Sequence, residues 1–164
     1  MAKGYSRVPT RLRRVLQGEV SATLLAMAGL VRSSLLHFPG AIILPLSPDR
    51  IVPAAGQGMI AVTVREDGAM LRGLLAQAEN PDARAIAAAE RALLVELKGS
   101  CRTPIGSHAL LLPQGRLGLT GLVARPDGSF LLRRSIDGPA SDATALGAEL
   151  GRELRASSPS DIFL

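Results

Sequence analysis

The chain has 164 residues, enough for one domain or two small ones, and its net charge of +5 comes almost wholly from arginine. Hydrophobic residues make up 47% and charged residues 20% of the sequence, as in an ordinary soluble globular protein. Its single cysteine excludes a disulfide framework and favours a reducing, cytoplasmic location. An aromatic content of 2% argues against single-stranded nucleic-acid binding, and the longest apolar run, 22–31, is about half of what a membrane span needs.

The first third of the chain shows an α/β pattern. Thr10 is predicted to cap a short helix over 11–17 that stops at Gly18. A buried strand is predicted over 21–26, and a second short helix over 29–36. One strand and two short helices cannot form a doubly wound α/β sheet, so the α/β pattern of this part is incomplete.

A glycine-rich run follows at Gly56-Gln57-Gly58-Met59-Ile60-Ala61. It fits the dinucleotide fingerprint in its Gly/Ala-ended form, but such a loop must open a helix. Here Ile60, Val62 and Val64 alternate as in a strand, so dinucleotide binding is disfavoured. A domain boundary is predicted at 66–68.

The remainder of the chain predicts an α+β domain. Its last helix is predicted to be capped by Ser141 and to bury Leu146, Leu150 and Leu154 on one face. Turns at 113–115 and 126–128 separate three strands, which gives a three-stranded antiparallel sheet with helices against it. The predicted helices are 70–78, 81–98 and 142–155, and the predicted strands are 105–112, 116–124 and 129–136.

The helix over 81–98 has the clearest signals of the chain. Asn80 is its predicted N-cap, Pro81 suits its first turn, and Gly99 suits the left-handed position after its last turn. Its apolar residues share one face, so the helix is predicted to pack against a core. These residues are Ile86, Ala89, Leu93 and Leu97.

Cys101 lies between this helix and the first predicted strand, in a loop that Pro104 keeps from returning to helix. The negative end of the helix opposes thiolate formation, whereas Arg102 favours it, and no histidine is adjacent. These surroundings predict a small buried hydrophobe rather than a protease-type nucleophile, although the loop position of Cys101 argues against simple burial. Two histidines and one cysteine at scattered spacing predict no metal site.

A family resemblance decides between these readings. Glu90-Arg91-Ala92-Leu93-Leu94, followed by the run from Leu97 to Ser107, resembles the cofactor-attachment signature of the porphobilinogen deaminase (hydroxymethylbilane synthase) family. In that family the cysteine carries a dipyrromethane through a thioether, and four porphobilinogen units are joined onto this primer. Cys101 is the matching position, which implies a transferase of tetrapyrrole and heme biosynthesis.

The N-terminal part resembles the second half of the family's middle domain, which is periplasmic-binding-protein-like. The matching stretches are 10–12, 18–19 and 22–30, together with Arg32. Arg11 and Arg32 match arginines that bind the acetate and propionate side chains of the growing pyrrole chain, and guanidinium suits such carboxylates. A solvated helix face is the alternative for both arginines.

The resemblance covers only the C-terminal half of the family. The family's Arg-Gly-Asn motif is replaced by the run from Tyr5 to Pro9, and the family's N-terminal domain with its catalytic aspartate has no counterpart. No catalytic residue is therefore assigned, and a complementing N-terminal chain is a predicted partner. The resemblance implies a partial middle domain at 1–48, a returning strand and linker at 49–68, and a cofactor-carrying domain at 69–164.

Three functions follow as hypotheses. The first is a porphobilinogen deaminase fragment that binds porphobilinogen and the growing pyrrole chain. The second is a catalytically inactive binding or interaction module that retains the C-terminal fold. The third, arginine-driven nucleic-acid binding, rests on net charge alone and is disfavoured.

Overall fold

The computed structural model describes residues 8–98 and 103–163, which belong to two compact units divided between Ser47 and Pro48. Within the described residues, none of the helices combines the length and apolarity that crossing a membrane requires. The helices are α1 (Val8–Leu16), α2 (Met27–Arg32), α3 (Ala69–Ala76), α4 (Pro81–Leu97) and α5 (Ala143–Ala156), and the strands are β1 (Ile105–Leu112), β2 (Arg116–Ala124) and β3 (Leu131–Pro139).

The smaller unit contains α1 and α2. Helix α1 begins at Val8, three residues before the predicted start, so Thr10 lies inside the helix and the prediction that it is the cap is wrong. Pro9 explains the earlier start, because proline is accommodated in a first turn where its missing N–H costs nothing. The helix ends at Leu16, and Gly18 adopts a left-handed φ of +72°, as its predicted role as a stop requires.

The predicted strand over 21–26 is not formed. The segment before α2 has no assigned strand, and all strands of the described residues belong to the larger unit. Helix α2 runs from Met27 to Arg32 rather than over 29–36, and Ser34 just beyond it has a left-handed φ of +54°. An apolar run becomes a strand only when a neighbouring strand takes its backbone hydrogen bonds, and no strand within 8–98 or 103–163 does so for this segment.

The larger unit is built on an antiparallel sheet in the order β1-β2-β3. The first two strands match their predicted bounds, whereas the third begins at Leu131 rather than at 129. The turn before it is longer because the Asp127 carboxylate accepts hydrogen bonds from Ser129 N at 3.0 Å and Ser129 Oγ at 2.8 Å. These bonds stabilise the charged carboxylate and lower the pKa of Asp127.

Helices α4 and α5 cover one face of this sheet and form the core with it. The predicted apolar faces of both helices are confirmed, except that Ile86 is only partly buried. Glycines at the helix interface let the two backbones approach closely. The side chains at 1% exposure or less include Leu93, Leu97, Leu117, Leu119, Val123, Leu150 and Leu154.

The helix ends differ in part from their predictions. Asn80 caps α4 as expected, since its side chain accepts from Ala83 N at 3.0 Å. Lys98 already adopts a left-handed φ of +50°, while Gly99 lies outside the described residues. Ser141 does not cap α5, because it lies in a 3-10 turn and its hydroxyl is hydrogen-bonded to Asp142 instead.

The connection between Gly58 and α4 packs loosely. The predicted strand around Ile60 and Val62 is not formed, and these side chains are 85% and 66% exposed. Helix α3 buries none of its residues. The apolar side chains of this stretch follow strand and helix patterns, but they do not pack against the core of the larger unit.

Candidate functional site

The predicted attachment residue, Cys101, lies outside the described residues, as do its neighbours from 99 to 102. The described residues on either side are firmly held. Leu97, the last residue of α4, is fully buried. On the other side, Pro104 O accepts from Ala124 N of β2 at 3.1 Å, and Ile105 N donates to Thr103 O at 2.8 Å. The chain therefore enters and leaves the cysteine segment from fixed points of the core.

A buried carboxylate lies in the helix that leads to this segment. Glu90 is 3% exposed, and among the described residues no cation is within ion-pair distance of it. Its Oε1 accepts from Ala109 N at 2.8 Å and its Oε2 accepts from Gly56 N at 2.6 Å. Charge-assisted hydrogen bonds of this kind compensate part of the cost of burying a carboxylate.

Glu90 belongs to the stretch that resembles the family signature, but no functional role is predicted for it from the sequence. Its burial could have been predicted, because the helical period places residue 90 on the same apolar face as Ile86, Leu93 and Leu97. An acidic residue on a buried stripe requires hydrogen-bond donors from elsewhere in the fold. The sequence does not show that those donors are the backbone amides of Gly56 and Ala109.

The segment 52–56 lies along the open edge of β1. Pro53 O accepts from Ser107 N at 2.8 Å, and Val52 packs on Gly106 so closely that a Cβ there would lie 3.0 Å from Val52 Cγ1. Strand β1 is an edge strand, so two of its outward N–H groups, those of Ser107 and Ala109, are satisfied by this segment and by Glu90.

The two predicted carboxylate-binding arginines both lie in the smaller unit. Arg11 is half-buried in α1, and Arg32 is the exposed last residue of α2. Neither forms an ion pair with a described acidic residue, whereas Arg14 of α1 pairs with Glu19 at 3.5 Å. Both guanidinium groups therefore keep their charge uncompensated by described carboxylates.

A cleft of about 610 Å³ in this unit does not bring the two arginines together. Its lining is largely apolar and includes neither Arg11 nor Arg32. The cleft by itself is therefore not a pocket for a polycarboxylate. Among the described residues there is also no group of three or more metal-ligating side chains. The lining residues are Leu12, Val15, Met27, Leu30, 21–25 and 40–46.

Two family models match the chain. Residues 84–156 match the model described as porphobilinogen deaminase, C-terminal domain, and residues 3–72 match the model described as porphobilinogen deaminase, dipyrromethane cofactor binding domain. The first range contains Cys101 and the second contains Arg11 and Arg32.

Curated relatives agree with the models. Porphobilinogen deaminase from Chromobacterium violaceum is 48% identical over 148 residues, which cover 90% of this chain and 46% of the relative. The enzyme of the same name from Paracoccus denitrificans is 45% identical over 158 residues, which cover 95% of this chain and 49% of the relative. The chain belongs to the porphobilinogen deaminase family, and it spans about half the length of the curated relatives it matches.

The comparisons confirm the family prediction and agree with dipyrromethane as the cofactor. The three-stranded antiparallel sheet with its helices lies in the region matched by the C-terminal domain model. Attachment at Cys101 and carboxylate binding by Arg11 and Arg32 stay predictions.

Proposed function

We propose that this chain is the cofactor-carrying part of a porphobilinogen deaminase, with a dipyrromethane primer on Cys101. The observation that carries the proposal is the match of residues 84–156 to the family's C-terminal domain, since that range contains the chain's only cysteine. We propose a partial middle domain of periplasmic-binding-protein type at 1–48, a linker at 49–68 and the cofactor-carrying domain at 69–164.

The proposed attachment is redox-neutral. The Cys101 sulfur bonds to the aminomethyl carbon of one porphobilinogen, the carbon–nitrogen bond breaks, and the thiol proton leaves with ammonia. A dipyrromethane held there would supply a free pyrrole α-carbon for condensation with porphobilinogen, in which the carbon–nitrogen bond of the substrate would break and the α-carbon proton would leave with the ammonia. Further porphobilinogen units would lengthen the pyrrole chain on Cys101. The proposed substrates are therefore porphobilinogen and the growing pyrrole chain.

Arg11 and Arg32 are proposed to bind the carboxylate side chains of the pyrroles. Guanidinium binds carboxylates in bidentate fashion, and neither residue is paired with a described acidic group. Neither arginine lines the apolar cleft, which favours carboxylate binding outside that cleft.

A complementing N-terminal chain is the proposed protein partner. Large apolar side chains are exposed on the stretch from Ile60 to Leu74, including Val62 and Met70. Clustered exposed apolar residues are typical of a surface that another polypeptide covers. Such a chain would also supply the acidic group that manages protons, for which no residue of this chain is assigned.

The test of attachment is the intact mass of the chain after incubation with porphobilinogen and a separately made N-terminal portion of the Chromobacterium relative. We expect the wild-type chain to gain the mass of a dipyrromethane and the Cys101→Ser variant to gain none. An unchanged adduct in Cys101→Ser would refute attachment at this residue. A bare wild-type chain would favour the alternative, an inactive binding module that retains the fold.

The arginines are tested in the same assay. Arg11→Gln and Arg32→Gln should each slow adduct formation, because each removes one carboxylate-binding group. Arg13→Gln is the matched control, since Arg13 lies exposed on the same helix as Arg11 and is predicted to be solvated. Equal rates in all variants would contradict the proposed role of Arg11 and Arg32.

A further inference from the structure

We infer that residues 49–56 form a strap that closes the edge of β1 and thereby keeps a second copy of this chain from adding its own β1 strand there. The strap contacts the sheet at two points along its first half. Arg133 of β3 donates from Nη1 to Asp49 O at 2.5 Å. Val52 packs directly on Gly106 of β1. The register places Gly106 and Arg133 in one row across the three strands, so the strap crosses the sheet along this row.

The second half of the strap runs beside the outer edge of β1. In an antiparallel pair, alternate residues of a strand direct their N–H groups away from the partner strand, and on β1 these include Ser107 and Ala109. Ser107 N donates to Pro53 O at 2.8 Å. Ala109 N donates to Glu90 Oε1 at 2.8 Å, and Glu90 Oε2 accepts from Gly56 N of the strap at 2.6 Å. Two N–H groups that an added strand would need are therefore already bonded.

The composition of β1 explains why its edge needs a cover. Strand Ile105–Leu112 contains no acidic residue, no lysine or arginine and no proline, and Leu110 is 43% exposed. A neutral, largely apolar edge strand is a template for pairing with another chain. The sequence of β1 itself therefore offers neither charge nor proline against such pairing.

The opposite edge of the sheet, β3, is protected by its own residues. This strand carries three charged residues and ends at Pro139, which has no N–H for a neighbouring strand. The charged residues are Arg133, Arg134 and Asp137. Arg134 Nη1 also donates to Arg133 O at 3.0 Å, which occupies a carbonyl of this edge. Charge and proline thus protect one edge of the sheet, and the strap protects the other.

The test loosens the strap from either side and measures self-association of the full chain by analytical ultracentrifugation. Gly106→Ala adds a Cβ that would lie 3.0 Å from Val52 Cγ1 and 3.1 Å from Val52 O, and Val52→Asp puts a carboxylate where the valine packs. In dilute solution we expect the Ser107 amide to exchange about 10-fold faster in both variants, as loss of one hydrogen bond implies. Because both copies must open their edges to pair, the concentration for half-association should fall about 10- to 100-fold below the wild-type value.

Each strap variant has a matched control. Gly118→Ala also adds a methyl group to the sheet, but this group meets only the side chain of Leu112, at 3.3 Å. Ile51→Asp introduces the same carboxylate one residue earlier, at a position that is 48% exposed. Both controls should keep wild-type exchange at Ser107 and wild-type association. Adding Leu110→Lys to either strap variant should restore wild-type association, because a lysine on an edge strand opposes strand pairing.

Several results would overturn the inference. Faster exchange at Ser107 without stronger association would show that an open β1 edge does not pair. Stronger association that Leu110→Lys leaves unchanged would place the contact between copies elsewhere, and wild-type exchange in both strap variants would show that these contacts do not hold the strap. If Gly106→Ala does not fold, Val52→Asp decides the question, since it leaves the sheet unchanged. If neither variant folds, the strap is required for the fold itself, and its role as an edge cover is refuted.

Discussion

Gly147 and Gly151 are the residues at which α4 and α5 approach most closely. A Cβ at Gly147 would lie 2.1 Å from the carbonyl oxygen of Ala89, and one at Gly151 would lie 2.6 Å from Glu96 Cβ. No rotation of a side chain relieves a clash with backbone, so α5 would have to move away from α4. The fit of the larger unit's core depends on these two positions.

We expect Gly147→Ala to lower the free energy of unfolding by about 1–3 kcal/mol, the usual cost of overpacking a core. Urea unfolding at an unchanged slope measures this as a lower midpoint. Gly73→Ala is the matched control, because Gly73 also lies inside a helix but a Cβ there would meet nothing within 4 Å. A Gly147→Ala midpoint equal to that of the wild type would contradict the packing described.

Among the elements, those with hydrogen-bonded partners are expected to be the stable ones. Strands β1 to β3 are paired along their lengths, and α4 and α5 are buried against them. The stretches 21–26 and 59–65 have strand-like sequences without a strand partner in the described structure. Local stability follows buried contacts and shielded hydrogen bonds rather than sequence propensity.

Hydrogen exchange of the isolated chain tests this difference. We expect slow exchange in α4, α5 and the sheet, and exchange close to that of an unfolded peptide over 21–26 and 59–65. The sequence predicts that residues 69–164 fold as a unit and that residues 1–65 are less stable alone. The contacts of segment 52–56 with β1 and Glu90, however, place that segment in the larger unit, Pro48–Leu164. Uniform protection across both regions would contradict the predicted difference.

For the whole molecule, the rate at which the chain consumes porphobilinogen tests whether it can act by itself. The chain spans about half of its relatives' length, and no residue of it is assigned as the catalytic carboxylate. Proton transfer by a positioned group typically contributes ~10² to 10⁴-fold, so the 164 residues by themselves, among which no such group is assigned, are expected to be nearly inert.

We therefore expect the purified chain alone to consume almost no porphobilinogen. Adding a separately made N-terminal portion should restore consumption, and an equal amount of an unrelated soluble protein should not. Rapid consumption by this chain alone would show that the catalytic carboxylate lies within it.

The sequence by itself determined the elements whose causes are local. The bounds of β1 and β2 follow from turn residues at 113–115 and from the alternation on either side, and the start of α4 follows from Asn80 and Pro81. The family and the candidate attachment residue were also evident, because a signature of consecutive residues around Cys101 needs no three-dimensional information.

Tertiary structure alone decided which strand-like segments pair and what surrounds the buried carboxylate. The segments 21–26 and 59–65 have the apolar pattern of strands, yet a strand forms only when distant backbone takes its hydrogen bonds. Glu90 bonds to amides 34 and 19 residues away, and Gly147 meets a carbonyl on another helix. These contacts join residues that are far apart in the chain, so local propensity and periodicity do not predict them. They form because α4 packs against β1 and α5.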